Sequence, residues 1–462
     1  MDSLVNWFKD LFNKKKDKPL IENKEERYIN IVDVVTFEII HINPNVYLSH
    51  RAARICIGKG IDDDYNKRMQ HLENIIGVNK HESVAEHSNV IVLFKLHKNH
   101  LNDIDMSDYL EFMSNIKFCN SIVHDSPTII YILLGGSARA FMHLIRETKT
   151  TNKLLPLIKR VVYNGFEKCF LKSLIDDNLL EEEYCTYLPE GVISLVHSNV
   201  TQTLDKYENT DVENFDADCS YITDPVEIES EHVDVVYMSP INDIYDKIKK
   251  YGFTLHDVYK VATISFVFHD ISRSCSHQLV RHRNAISQES QRYVKQIDTF
   301  VNPIELNRQE RYSDKRFREV LEKTASIINR GFSEYNWLLN HKVNKEDARA
   351  FLPTNVTTKL MMTMTYVNYA YFLNLRLDKA AQKEIRNIAE ETVDLVLDHS
   401  KMNDFIEYCI TPVGLKKTVV AENVIVDEII EEEYKPTNMV NTEESAIELL
   451  KQQERYKQME EN

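Results

Sequence analysis

Residues 263–293 read TISFVFHDISRSCSHQLVRHRNAISQESQRY, an apolar run that passes directly into a dense polar one. Thr263 to Ile271 is β-branched and aromatic over the length of a single strand. A helix is expected to begin near Ser272. It sets Arg273, His277 and Arg281 four apart on one stripe, with Gln278 beside them and His282 four residues beyond Gln278. Past that helix, Ser287, Gln288, Ser290, Gln291 and Arg292 are short or planar hydrogen-bonding groups between two cationic ends. Arginine forks and amides of this kind suit a phosphate and a heterocycle. The plainer alternative is a solvated helix followed by a polar loop, because charge runs commonly lie on surfaces.

Working outward, VVTFEIIHI (34–42), VIVLFKL (90–96) and TIIYILL (128–134) are further strand-like runs. LLPLIKRVVYNGFEKCFLKSLI and the region from Thr357 to Leu397 space apolar residues by three and four, which predicts helices. The class is α+β, a mixed sheet with long helices and a mostly helical second half. Residues 128–147 echo 262–283, each running from a strand through a small-residue turn into a helix. Aligning Arg139 with Arg273 also aligns His143 with His277, so a partial duplication and a chance likeness both remain open.

Glycine and proline number only 10 and 11, so boundaries must come from composition. Residues 202–235 are acidic and poor in large apolar side chains, which reads as a linker. The expected organisation is an N-terminal arm (1–30), an α/β part (31–201), the linker (202–235), a second folded part (236–415) and an acidic tail (416–462). In the arm, Leu4, Trp7, Phe8, Leu11 and Phe12 share one helical face ahead of a lysine run, with no cleavable signal's small-residue site. Packing on protein is expected of it rather than membrane contact.

A formal charge of −16 argues against a sequence-independent grip on nucleic acid, so an anionic ligand must meet a local cluster of arginines. The 7 cysteines are scattered and form no CxxC pair, which fits reduced thiols in a cytoplasm and gives no zinc site. His81, Glu86 and His87 could imitate a metal trio, but the groups that would complete it are arginines.

RHR at 281–283 followed by SQRY resembles the signature of flavin-dependent thymidylate synthases, with one residue fewer between Arg283 and Ser290 than the usual pattern. RAARICIGKG (51–60), HESVAEH (81–87), EDARAFLPTNVTT (346–358) and FLNLRLDKAAQKEIR (372–386) resemble further blocks of that family in the family's order. The resemblance covers about 35–96 and 262–395.

The resemblance implies that family's fold, and reductive methylation of dUMP to dTMP with FAD, NADPH and 5,10-methylenetetrahydrofolate. It also implies a homo-oligomer, either a tetramer or a dimer in which an internal repeat replaces a protomer. Ser83 and Glu86 would approach FAD from one subunit and Arg281, His282 and Arg283 from another, with Gln288 also near it. His81 would face the folate. Gln278, Arg281, Ser290, Arg292 and Arg349 would hold dUMP, its ring lying along Gln288, Glu289, Ser290 and Gln291. Arg376 would activate the ring, with Arg376, Ser290 and His81 as the catalytic set.

Thr365, Val367 and Tyr371 occupy positions where the family contacts FAD, yet this chain lacks the usual Asn-x-Arg there and has Ala380 for a frequent histidine. That departure keeps a second reading in play: a degenerate nucleotide-binding or assembly protein without flavin chemistry. Cys275 is read as a packing residue. Ser83 and Glu86 could form a helix capping box alongside the flavin role.

Overall fold

The computed structural model describes residues 35–98, 108, 111, 119–152, 154–180, 228–297, 299–302 and 313–399. The N-terminal arm, the acidic tail and most of the 202–235 stretch lie outside these residues.

The chain opens with β1 (Val35–Ile42), α1 (Asn45–Cys56) and α2 (Tyr65–Leu72). A 3-10 turn (Glu82–His87) leads into β2 (Asn89–His97), and β3 (Asn120–Asp125) and β4 (Ile129–Ser137) complete a sheet of order β1-β2-β4-β3. Helices α3 (Ala138–Glu147), α4 (Leu155–Gly165) and α5 (Lys168–Asp176) follow. The second sheet begins with β5 (Val233–Met238), then α6 (Ile241–Ile248), α7 (Leu255–Val261), β6 (Thr263–Ser272), α8 (Arg273–Leu279) and β7 (Ala285–Gln288). After α9 (Asp314–Asn340) and the short α10 (Lys345–Ala348) come β8 (Thr357–Thr365), α11 (Tyr366–Arg376) and α12 (Lys383–His399). Its order is β5-β6-β8-β7.

Every pairing in both sheets is antiparallel, so the fold is α+β but its sheets are not mixed. No helix among the described residues is long and apolar enough to cross a membrane.

One core joins the two sheets: Ile40, Ile91, Leu93 and Leu133 pack with Phe266, Phe268, Met362 and Tyr369. Burying each such large side chain contributes about 1.5–3 kcal/mol before entropy is counted. The helices that follow the first strand of each sheet cross over to the other sheet. Leu48, Ala52 and Ile55 of α1 lie on Val236, Tyr237, Val267 and Met361. Ile241, Ile244 and Ile248 of α6 join the core containing Ile40 and Ile91, and Lys247 Nζ donates to Ile40 O at 3.0 Å.

Three sequence expectations need correction. Thr357 to Thr365 is a strand rather than the start of a helix. Its residues are buried almost without interruption, and in a strand covered on both faces the period-two signal disappears. Residues 233–235, placed in the linker, open β5, and Ile228 bridges to Val235. The acid that disguised this strand, Asp234, is buried and answered by Arg51 at 3.6 Å and His269 at 3.2 Å. The stripe expected through Arg281 also breaks, because α8 stops at Leu279 and a 3-10 turn, Val280–His282, carries the chain on.

Candidate active site

Ser272 starts α8 by accepting from Cys275 N at 3.0 Å, while its own N–H and hydroxyl donate to the buried Glu384 carboxylate at 2.7 Å each. This pins the helix to α12 and fixes where its far end emerges. There Arg283 takes a left-handed φ of 54°, which reverses the chain into β7. An arginine without glycine's freedom pays about 1–2 kcal/mol for that conformation. Arg281 and Arg283 are consequently exposed on the turn, and their side chains pair with no group among the described residues.

His282 points inward. Arg376 Nε donates to His282 Nε2 at 2.9 Å and Arg376 Nη2 to Gln278 O at 3.3 Å. Burial, then the Arg376 charge, lowers the His282 pKa to about 4. The ring is therefore neutral near pH 7, and since Nε2 accepts, its proton sits on Nδ1, a buried atom with no partner. Tyr371 and Phe372 meet the ring edge-on, with centroids at 6.1 and 5.2 Å. Gln278 itself is tied to Gln382.

The next segment is held by its backbone and by several of its side chains. Glu289 N donates to Lys359 O at 2.9 Å and Ser290 N to Cys56 O at 3.0 Å, while Arg273 Nη2 donates to Glu289 O at 2.7 Å. Gln288 Nε2 donates to Ser276 Oγ at 2.7 Å. Arg292 and Arg349 converge on Glu346, through its carboxylate at 2.9 Å and its carbonyl at 3.1 Å respectively. Gln291 is half-buried in the same loop. Gly58, at φ +64°, lets the end of α1 approach Val294 and Glu289; a Cβ there would stand 2.9 Å from Val294.

The 82–87 turn has no capping box: its N-cap, His81, makes no side-chain cap, and Glu86 pairs instead with Arg139 of α3. Glu82 accepts a two-pronged contact from Arg146 at 2.8 and 2.6 Å. His81 and Ser83 are exposed. His87 is fully buried, its pKa lowered to about 3 by desolvation, and the neutral ring joins Thr363 Oγ1 at 2.8 Å and Ser287 Oγ at 3.1 Å. The turn is thereby fastened to β7 and β8, the strands beside the RHR turn.

The expected residues therefore form three groups: Gln278, His282 and Arg376; the 288–292 loop with Arg349; and the 82–87 turn. The first joins the ends of α8 and α11, the second lies on the segment after β7 with Arg349 from the turn after α10, and the third is fastened through His87 to β7 and β8. Thr365 and Val367 are otherwise engaged, Thr365 capping α11 by accepting from Asn368 N and Val367 packing against the core. Sequence reasoning missed Arg139 and Arg146 as partners of the turn, and His87 as its anchor.

Residues 210–399 match the family model described as "Thymidylate synthase complementing protein". The segment similar to this Thy1 model contains the RHR turn, the 288–292 loop, Arg349 and Arg376, and leaves the 82–87 turn outside. A curated flavin-dependent thymidylate synthase from Pyrococcus furiosus is 34% identical over 163 residues, 34% of this chain and 64% of the relative. Those from Pyrococcus horikoshii (33% over 168 residues, 35% of this chain and 65% of the relative) and Saccharolobus solfataricus (39% over 142 residues, 30% and 50%) are similar too. The chain thus spans less than two thirds of the length of these relatives.

Proposed function

We propose that this chain is a flavin-dependent thymidylate synthase, converting dUMP to dTMP with FAD, NADPH and 5,10-methylenetetrahydrofolate. The observation that carries this reading is Arg376. Two of its nitrogens are fixed by His282 and Gln278, and Nη1 remains without a partner among the described residues. A guanidinium held this way is pre-set to meet the N3 edge and neighbouring carbonyl of a uracil ring. It would stabilise negative charge there as C5 becomes nucleophilic.

Arg281 and Arg283, exposed and unpaired, and Arg292 and Arg349 supply cation density for phosphates on an otherwise acidic protein. The partnerless buried nitrogens of His282, Arg139 and Arg273 fit a site built to receive polar ligands. A bound flavin would supply hydride and relay the one-carbon unit, leaving the protein to orient flat ligands and exclude water. No cysteine nucleophile is needed. Cys275 is fully buried and its thiol pKa is pushed well up by burial.

Assembly of several chains belongs to the same reading, and Ile327, Trp337 and Phe351 expose apolar surface that self-association would cover. The packed Val367 favours the rival, a nucleotide-binding protein without flavin. The absorbance of purified protein after incubation with FAD separates them. A yellow protein bleached by NADPH under anaerobic conditions supports the synthase; protein that stays colourless rules it out.

A further inference from the structure

The two sheets agree in more than strand order. Ile42 pairs with Val90, and Met238 with Ile264; Asn89 pairs with Ser137, and Thr263 with Thr365; Gly135 pairs with Asn120, and Thr363 with Ala285. One set of equivalences satisfies all three ladders as far as Phe268 and Leu360; beyond them β6 shifts by one residue against β8 before Ile271, a shift that the β2–β4 ladder lacks. Under it the register shift between Ile39 and His41 falls on that between Val235 and Tyr237.

The hydrogen bonds outside the ladders repeat as well. Asn43 N donates to Asn89 O at 3.1 Å, and Ser239 N to Thr263 O at 2.9 Å. Asn89 N donates to Asn43 Oδ1 and Thr263 N to Ser239 Oγ, both at 2.9 Å. Ala138 N donates to Ser88 O at 2.8 Å, and Tyr366 N to Ala262 O at 3.3 Å. His41 and Tyr237, equivalent to each other, touch through Nε2 and the hydroxyl at 2.5 Å, a contact that residues beside a twofold axis can make with their own equivalents. The crossing of α1 and α6 onto opposite sheets is the same exchange made twice. The echo of Arg139 with Arg273 was thus out of frame: β4 corresponds to β8, and Arg139 to Val367.

These equivalences show what each half has kept. His87, bonded to Ser287 and Thr363, corresponds to Val261, which lies against Gly135 so closely that a Cβ on the glycine would come within 2.7 Å. Glu86 corresponds to Lys260, which pairs with Asp257 of its own helix at 3.2 Å. Arg139, whose buried Nε has no partner, corresponds to the core-packed Val367. Conversely, β7 and β8 are joined by the long stretch bearing Ser290, Arg292 and Arg349, where β3 and β4 are joined by a short turn. Residues 98–119, between β2 and β3, contain no arginine to match Arg281 and Arg283.

We propose that residues 35–147 and 233–376 are two copies of one unit paired about an internal twofold, with a single set of ligand groups divided between them. The first copy contributes Ser83, Glu86 and Arg139, and the second contributes the RHR turn, the 288–292 loop and Arg376. Each chain takes up one flavin, and Arg139 supplies a cation to its phosphates that position 367 lacks. The identity of the ligand rests on the synthase reading; the division of the site rests on the equivalences.

Titrating full-length protein with FAD, and separately with dUMP, should give one equivalent of each per chain. Arg139→Gln and Arg139→Lys should raise the FAD dissociation constant about tenfold or more, as expected for loss of a forked charge-assisted contact, with dUMP affinity and melting temperature nearly unchanged. Lys260→Ala, at the position equivalent to Glu86, should bind FAD like the parent. Two equivalents per chain, unchanged FAD binding by both Arg139 variants, or equal weakening by Lys260→Ala would each overturn the proposal, as would uptake of neither ligand. One equivalent of FAD with no methyl transfer would leave the division standing and remove the synthase reading.

Discussion

Replacing Arg376 with lysine exchanges a fork held at 2.9 and 3.3 Å for a single ammonium. Lysine can reach one of those acceptors but cannot hold both while presenting two donors to a ring edge. The expected loss is that of one preorganised donor at a centre of developing charge, about 3 kcal/mol or roughly a hundredfold in kcat, and alanine should do little worse. In the alanine variant His282 Nε2 also loses its donor, at a cost of about 1–3 kcal/mol in stability, so melting curves must accompany the kinetics. The assay is methyl transfer to dUMP and anaerobic reduction of FAD by NADPH, measured on the same preparation. Methyl transfer should collapse while flavin reduction persists. If both fall together Arg376 serves folding or cofactor retention; if neither falls, charge stabilisation at the uracil ring is the wrong role.

Cys275→Ala should keep most activity, and intact-mass spectra during turnover should show no nucleotide attached to a cysteine; an adduct would mean a different mechanism. Gly58→Ala forces a Cβ toward Val294 at a left-handed φ, so dUMP affinity should drop several-fold through the displaced 288–292 loop. Calorimetry finding no change would show that the close approach is not needed. Stability should fall with acidification. His41 and His87 are held neutral by burial at about 3, and His50 and His282 at about 4, against 6.5 when unfolded. The unfolded chain therefore binds more protons, and the stability present in full above pH 6.5 is lost as pH falls toward those values. At pH 5.5 His41 and His87 each cost about 1.4 kcal/mol and the partly solvated His50 and His282 less, and a melting temperature that is flat from pH 7.5 to 5 would contradict this.

The sequence exposed the strands whose alternation or β-branched runs are unbroken, β1, β2, β4 and β6, and the start of α8 at Ser272. It concealed β8, where threonine and methionine fill a strand buried on both faces, and β5, where a paired buried acid looked like a linker residue. The RHR turn and Ser290 stood out because several cations and amides in a short stretch have no reason to build a core, whereas Arg349 and Arg376 stood out only through the resemblance of their blocks to those of a known family. Arg139 and His87 did not, since their meaning comes from partners far along the chain, at Glu86, Ser287 and Thr363. The duplication was half visible, and misaligned, because a strand-turn-helix unit can match either of two later units until the ladders fix the frame.

The most direct test incubates purified full-length protein with dUMP, FAD, NADPH and methylenetetrahydrofolate without oxygen and identifies the nucleotide by mass. dTMP is expected, formed only when all four are present and abolished by Arg376→Ala. Flavin-loaded protein that oxidises NADPH and binds dUMP yet returns it unmethylated would contradict it.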